Sequence, residues 1–325
     1  MRLTPVDLAG SELLRPLAGK RCLITGASGF LGRNLLATLI AADAQVHFTT
    51  HNCPAEEIPH GGEAKAHACD LTRLADVENV FDEVRPEYLF HLATGRGDEI
   101  HGRDSLLGNI LSADRLVQAS MRYPPVRIIV AASSLEYGPH PAPLNEDMML
   151  APDSLYGVTK AASTLLLRQA ALKQQLPVTV LRIFSIYGYW EPAKRLLPTA
   201  MRAALEHLEL PLATTGPKRD FVFVSDVVEA LLLPALAENV HGEIINVGTG
   251  EQTSNEEAVA KIQAVSGLPI RVQANAYPQR ATDTSYWCAD PGKAYRMLGW
   301  KPRHNVDEGL LKTWQWFRDV GHIHL

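Results

Sequence analysis

Short apolar runs alternate with longer amphipathic stretches along the first half of the chain. Arg21-Cys22-Leu23-Ile24-Thr25 reads as a buried strand, and Phe30 to Ala42 carries helical spacing. Gln45 to Thr50 is a second strand, and a third short one closes at Asp70. Leu74 to Val84 is helical, Glu87 to Leu92 a strand, and a helix follows near Ser105 to Met121. Val126 to Ala131 is a strand, a long helix runs from about Leu155 to Lys173, and Pro177 to Ile183 is another strand. Each crossover is long enough to join parallel neighbours, so the pattern predicts an α/β fold built on a doubly wound parallel sheet.

After Tyr187-Gly188 the rhythm loosens, and Pro192, Pro198, Pro211 and Pro217 favour loops. Phe221 to Val224 and Glu243 to Val247 still read as strands, with a helix between them capped by Ser225. Ser254-Asn255-Glu256-Glu257 is a capping box, and Pro291 suits a first helical position. This organisation predicts an arm over 1–20, a sheet domain over 21–187 re-entered near 221–248, and a smaller lobe over 188–325.

Composition narrows the class. The 325 residues are 46% hydrophobic and 21% charged, as in a soluble globular chain. The net charge is −5, which argues against a nucleic-acid partner held by bulk electrostatics. No apolar run approaches the roughly 20 residues that span a bilayer, and the first residues lack a secretory pattern. The scattered cysteines (Cys22, Cys53, Cys69, Cys288) suit a reducing, cytoplasmic setting.

Thr25-Gly26-Ala27-Ser28-Gly29-Phe30-Leu31-Gly32 joins the first strand to the first helix. Gly26 can turn with positive φ, Gly29 leaves the backbone bare for a pyrophosphate, and Gly32 lets helix and sheet pack closely. A glycine-rich turn without a ligand is the plainer reading of such spacing alone. Its position at the first strand–helix junction favours a dinucleotide. An NAD site usually carries an acid after the second strand, on the ribose 2′-OH. Here Phe48-Thr49-Thr50-His51-Asn52 has none before Glu56, while His51 and Arg33 suit a 2′-phosphate. NADP (NADPH) is therefore expected, with NAD as the alternative.

Tyr156 and Lys160, spaced i, i+4, share a face of the long helix about 6 Å apart along its axis. An ammonium at that range favours a phenolate and equips a tyrosine for acid–base work. Ser133 follows a strand at the sheet edge where ligands bind, and its hydroxyl can bond a substrate oxygen.

With these motifs in order, the chain resembles the extended short-chain dehydrogenase/reductases, in their nucleotide-sugar epimerase/dehydratase/reductase branch. The resemblance runs from about Arg21 to Phe317. It rests on the Gly26 to Gly32 turn, Asp70-Leu71, His91-Leu92-Ala93-Thr94, Asn109, Ser133 to Gly138 and Tyr156 to Lys160. Arg182-Ile183-Phe184-Ser185-Ile186-Tyr187-Gly188, Arg219-Asp220-Phe221, Asn246-Val247-Gly248 and Leu298 to Pro302 continue it. It implies a Rossmann-type domain holding NAD(P) through Gly26, Ser28, Gly29, Phe30, Leu31, Gly32, Asp70, Leu71, Leu92, Ala93, Thr94, Asn109 and Ile183. It implies Tyr156 as acid–base, Lys160 on the nicotinamide ribose and Ser133 on the reacting C–O group. It also implies a nucleoside-diphosphate sugar, with Arg219 on the diphosphate and Arg280 and Asp283 about the nucleoside.

The dehydratases of this family place Asp-Glu directly after the Ser/Thr, whereas here Ser134 and Leu135 stand there. Leucine cannot carry a proton. If the segment stays extended, Glu136 points to the opposite face from Leu135. The stretch resembles the SSEEYG of 4-keto-6-deoxyhexose reductases, with Leu135 as a departure. The expected activity is NADPH-dependent reduction of a nucleotide-linked 4-ketohexose. The alternatives are an NAD-dependent C4-type epimerase and a non-catalytic dinucleotide sensor. Ser185 replaces an asparagine common in relatives, which alters the expected diphosphate contact. His51-Asn52-Cys53 and His67-Ala68-Cys69 match no common zinc spacing, so no metal is expected. His322 and His324 read as a tail. Trp314 and Trp316 read as core packing, and the apolar faces near 105–121 and 155–173 suit a homodimer.

Overall fold

The computed structural model describes residues 4–51, 53–58, 62–95, 102–213, 216–277 and 286–321. The first half runs β1 (Arg21–Thr25), α1 (Phe30–Ala41), β2 (Gln45–Thr50), β3 (Ala64–Ala68), α2 (Leu74–Val84), β4 (Tyr88–His91), α3 (Arg103–Arg122), β5 (Arg127–Ser133), α4 (Leu155–Gln174) and β6 (Val178–Ile183). Then come β7 (Ser185–Tyr187), α5 (Leu196–Glu206), β8 (Glu209–Ala213), β9 (Lys218–Arg219), β10 (Phe221–Phe223), α6 (Val224–Leu236) and β11 (Ile244–Val247). The chain closes with β12 (Thr253–Ser254), α7 (Asn255–Ser266), β13 (Arg271–Tyr277), α8 (Gly292–Leu298) and α9 (Val306–Trp316).

Seven strands form one parallel sheet in the order β11-β6-β5-β4-β1-β2-β3. The expected doubly wound, Rossmann-type sheet is present. Every residue of β4, β6 and β11 is buried. That explains the unbroken apolar runs, since a parallel sheet is covered on both faces. One face carries a core that includes Leu36, Phe48, Val228 and Trp300, and the other is covered by α2, α3 and α4 through Phe81, Leu116 and Leu167. The chain winds outward from β1 to β3, then returns to pair β4 with β1. That reversal opens a crevice beyond the strand ends. A second core, with Leu197, Leu210, Ile262, Leu310 and Trp314, gathers α5, α7, α9 and β8, and β13 pairs with β8 at its edge.

Several local expectations change. Of the segment read as an N-terminal arm, residues 4–20 pack on the sheet domain, with Leu8, Leu14 and Leu17 buried in its core. Helix α6 starts at Val224 with Phe223 as its uncapped N-cap, and the Ser225 hydroxyl instead donates to Asp7 of the N-terminal segment. Pro291 is an N-cap, one residue before α8. The Ser254 box forms as read, with Ser254 N–H on Glu257 Oε2 at 2.7 Å and Glu257 N–H on Ser254 Oγ at 3.1 Å. Trp314 and Trp316 are buried, whereas His322 and His324 lie outside the described residues.

Candidate active site

The glycine turn is fixed by backbone crowding. Gly26 sits at φ +79°, and a Cβ there would lie 2.5 Å from Ala93 N. The exits of β1 and β4 therefore touch backbone to backbone. A Cβ on Gly32 would lie 2.1 Å from Gly26 O, which brings α1 hard against the turn. Gly29 is the N-cap of α1 and offers no side-chain cap, so the first amides of the helix are left for an anion.

Above this turn opens a cavity of about 650 Å³, within the usual range of ligand sites. Gly26, Ser28, Gly29, Phe30, Leu31, Gly32, His51, Asp70, Leu71, Leu92, Ala93, Thr94 and Asn109, all expected about a cofactor, line it. Thr49, Thr50, Cys53, Cys69, Thr72, Gly95, Gly108 and Ser112 line it as well. Ser112 stands one helical turn beyond Asn109, so helix periodicity carried that signal. Asp70 Oδ1 accepts Thr72 N–H at 2.9 Å and Thr72 Oγ1–H at 2.7 Å. These bonds hold its carboxyl below the usual range and keep it an ionised acceptor. A crowded glycine turn, a bare helix start and an ionised acid across one cavity fit a dinucleotide. Arg33, Tyr156, Lys160 and Ile183 are not on this wall. Arg33 lies just behind it, with Nε on Ser28 O at 3.1 Å.

Beyond the cavity stand the acid–base candidates. Ser133 ends β5 in register with Ile183, rather than following the strand. The next residues do not stay extended; Ser134–Glu136 form a 3-10 turn capped by Ser133. Ser133 Oγ accepts Leu135 N–H at 3.2 Å, so its own proton remains available to a ligand oxygen. Glu136 is turned fully inside. It accepts Ser133 N–H at 3.2 Å, Thr164 Oγ1–H at 2.9 Å and Arg182 Nε–H at 2.8 Å. Its role is to anchor the end of β5, and the spacing Ser-x-x-Glu carried that signal as a capping box.

Ser154 caps α4 by accepting Gly157 N–H at 3.2 Å. A Cβ on Gly157 would lie 2.5 Å from Leu135 O. The first turn of α4, with half-buried Tyr156, thus abuts the Ser133 turn. Lys160 is buried, with Nζ on Ala131 O at 2.7 Å. Asn109 ties the two parts together. Its Oδ1 accepts Gly95 N–H at 2.6 Å, its Nδ2 donates to Thr159 Oγ1 at 3.2 Å, and Thr159 donates to Tyr156 O at 3.0 Å. Thr25 Oγ1 accepts Ala93 N–H at 3.3 Å and lies 2.7 Å from His91 Nδ1. Thr25 then donates to a neutral imidazole, in keeping with a pKa that burial, and secondly Lys160, pushes down to about 3.

The expected substrate residues are scattered. Ser134 is buried, and its Oγ accepts Trp287 Nε1–H at 3.1 Å. Ser185 N–H donates to Asp220 O at 2.9 Å, and half-buried Arg219 donates Nη1–H to Lys218 O at 2.9 Å. Arg280 and Asp283 lie outside the described residues. The sequence reading missed Asp220 as an organising group. Its buried carboxylate accepts the N–H groups of Thr249, Gly250 and Ala289 at 2.7–3.0 Å, with the Thr249 hydroxyl. Among the described residues, no cluster of three or more His, Cys, Asp or Glu side chains suits a metal ion. No described helix is long and apolar enough to cross a membrane.

Known proteins with this architecture share the sequence over most of its length. The dTDP-6-deoxy-L-talose 4-dehydrogenase (NAD(P)(+)) of Kitasatospora kifunensis is 28% identical, over 91% of this chain and 95% of its own. The UDP-glucose 4-epimerase of Mycolicibacterium smegmatis is 30% identical, over 92% and 99%. The structure of a UDP-glucose 4-epimerase from Thermotoga maritima, solved with UDP-glucose, superposes with a TM-score of 0.83 at 26% identity, covering 92% and 99%. Residues 22–248 match the NAD dependent epimerase/dehydratase family. With its glycine turn, its cavity at the β1/β4 reversal and its Ser133, Tyr156 and Lys160, the chain belongs to that family, the extended short-chain dehydrogenase/reductases that act on nucleotide sugars.

Proposed function

We propose that the protein is an NADPH-dependent reductase of a nucleoside-diphosphate-linked 4-keto sugar, 6-deoxy or not. The observation that carries this reading is the pair Ser134-Leu135. Trp287 engages the Ser134 hydroxyl, Leu135 is apolar, and Glu136 is spent on Arg182. No group directly after Ser133 is left to move the protons of a water elimination. The absence of a carboxylate at the end of β2 supports NADPH as reductant.

In this reading the Gly26 to Gly32 turn holds the pyrophosphate, Asp70 the adenine end, Arg33 and His51 the 2′-phosphate, and Lys160 the nicotinamide ribose. Bound NADPH supplies a hydride for the ketone carbon. Tyr156 gives its proton to the ketone oxygen, and Ser133 donates a hydrogen bond to that oxygen. Lys160, with Nζ held by Ala131 O, stands one helical turn from Tyr156. Arg219, Arg280 and Asp283 recognise the nucleoside diphosphate, with Ser134 and Ser185 beside the sugar. Acid catalysis of this kind contributes roughly 10²–10⁴-fold.

A 4-keto sugar nucleotide incubated with NADPH tests this reading. NADPH is expected to be consumed as a 4-hydroxy product forms, and Tyr156→Phe should cut turnover about 10²–10⁴-fold with cofactor affinity kept within a few-fold. Isomerised sugar without NADPH consumption overturns the reductase. The epimerase reading has its own support in the 30% identical UDP-glucose 4-epimerase and in Glu57, a carboxylate 3.8 Å from the Sγ of the cavity-lining Cys53. Exposed Leu107, Leu111, Val158, Leu165 and Leu172 on α3 and α4 support a homodimer covering these helices, which a sedimentation mass would test. The four unpaired thiols support a reducing, cytoplasmic setting.

A further inference from the structure

Arg33 stands one residue past the glycine turn. Its guanidinium carbon lies 4.5 Å from the centroid of the Trp190 ring. A guanidinium held over an indole face keeps N–H groups for other partners. Among the described residues only Nε has an acceptor, Ser28 O, and Ser28 lines the cofactor cavity. Burial lowers the Arg33 pKa, and the nearby Cys53 and Glu57 oppose that shift. Cys53 also lines the cavity, on the segment just after β2. The cation is therefore held behind the cavity wall, at the end where the ribose 2′ position of a dinucleotide sits.

Trp190 is held there against its own backbone preference. Its φ is +69°, a left-handed conformation that a bulky residue adopts only where its surroundings impose it. The ring is buried and packs against Trp316 at 5.4 Å, and Nε1 donates to the buried Thr4 Oγ1 at 2.7 Å. The N-terminal segment thus braces the indole, the indole braces Arg33, and Arg33 braces the phosphate turn.

We propose that Trp190, backed by Thr4, is a positioning residue for cofactor choice: it presents the Arg33 guanidinium edge to the 2′-phosphate of NADPH. This rests on the NADPH reading above, and names the device that enforces it. It also gives the segment before the first strand a part in cofactor selection.

The test is direct titration of NADPH and NADH against the full-length protein and its variants, with melting temperatures as a check on folding. The unaltered protein should bind NADPH more tightly than NADH. Arg33→Gln should weaken NADPH about 10–100-fold while NADH stays within about threefold. Trp190→Leu should weaken NADPH about fivefold to tenfold, again sparing NADH, and Trp190→Phe should restore most of that loss. The double variant Arg33→Gln/Trp190→Leu should be no worse than Arg33→Gln alone, because Trp190 acts through Arg33. A Trp190→Leu loss equal for both nucleotides, or additive in the double variant, overturns the proposal while leaving the NADPH reading intact. Equal binding of both nucleotides by the unaltered protein overturns the NADPH reading, and this proposal with it. Should Trp190→Leu fail to fold, Thr4→Val decides: a loss confined to NADPH supports the brace, and no loss or an equal one overturns it.

Discussion

The cofactor end and the substrate end of this crevice are built in different ways. At the cofactor end, one turn of seven residues meets the backbone of the neighbouring strand exit, and glycine is demanded by contacts of 2.1–2.5 Å to main-chain atoms. At the substrate end, the surfaces are assembled from segments far apart in the chain. Ser134 is held by Trp287, Asp220 gathers Thr249, Gly250 and Ala289, and Ser185 is strapped to Asp220. The first construction tolerates little change and recurs wherever a dinucleotide is held. The second can be rebuilt by substituting a few side chains, which is how one scaffold serves many sugars.

The sharpest way to break this comparison is Gly32→Ala. A Cβ would lie 2.1 Å from Gly26 O and 2.7 Å from Ala27 Cα, both backbone atoms that cannot swing aside. The helix must shift, at a cost of about 1–3 kcal/mol or more, and the bare amides leave the pyrophosphate position. Calorimetric titration should show cofactor binding lost. The control is Gly108→Ala, on the same cavity wall in α3, where the nearest atom would be Thr72 Cγ2 at 3.5 Å. That variant should fold at least as well, because alanine favours helix by about 1 kcal/mol over glycine. Unchanged binding in Gly32→Ala would show that the turn is less rigid than its contacts imply.

Two buried groups answer oppositely to pH, and neither belongs to the substrate end. His91, behind the cofactor end, has its pKa pushed down to about 3 from an ordinary 6.5. The unfolded chain takes up that proton first, so this group contributes stability above about pH 6.5, lost as pH falls towards 3. Glu191 follows Trp190 in the loop after β7. Its carboxyl accepts Gly188 N–H at 3.4 Å and faces Arg195 Nε at 3.4 Å, yet burial raises its pKa to about 7. The folded state keeps that proton longer than the unfolded one. Stability from Glu191 is therefore full below pH 4.5, and lost as pH rises through 7. Each unit of difference is worth about 1.4 kcal/mol, so the loss by pH 8 is on the order of a few kcal/mol. Glu191→Gln should flatten the alkaline limb of a denaturant-melt series and leave the acid limb, which His91 shares, in place. An alkaline limb that persists in the variant would assign it elsewhere.

The same contrast governs what could be read from the sequence. The glycine turn, the Tyr156/Lys160 spacing, helix α2 and the Ser254 box are each decided within a few consecutive residues, and each appears where the pattern put it. The orientation expected for Glu136 held only if the segment stayed extended past Ser133, and it does not. The capping-box spacing there, the same as at Ser254, turns the chain into a 3-10 helix and buries the acid. Ser225 lost its expected capping role to Asp7, 218 residues away. The burial of Leu8, Leu14 and Leu17 depends on a core formed by later segments, which the arm's own residues do not announce. Asp220 stood in a segment that carried the resemblance, but its organising role was not legible there, since its partners come from two distant loops.

The smallest expected effect tests the substrate end itself, through Ser134. Its hydroxyl accepts the Trp287 indole N–H at 3.1 Å, in surroundings where neither group meets water. Ser134→Ala strands that donor, at a cost of about 1–3 kcal/mol. Thermal melts should fall accordingly. If Ser134 only braces Trp287, the Michaelis constant for a sugar nucleotide should rise while turnover at saturation and cofactor affinity hold, because Ser133, Tyr156 and Lys160 are unchanged. If turnover at saturation falls instead, Ser134 contributes to the transition state, and the substrate end is as tightly specified as the glycine turn. Ser134→Thr, which keeps the acceptor, separates the two outcomes. It should restore the melt in either case, and should restore turnover only if the hydroxyl itself is what the reaction uses.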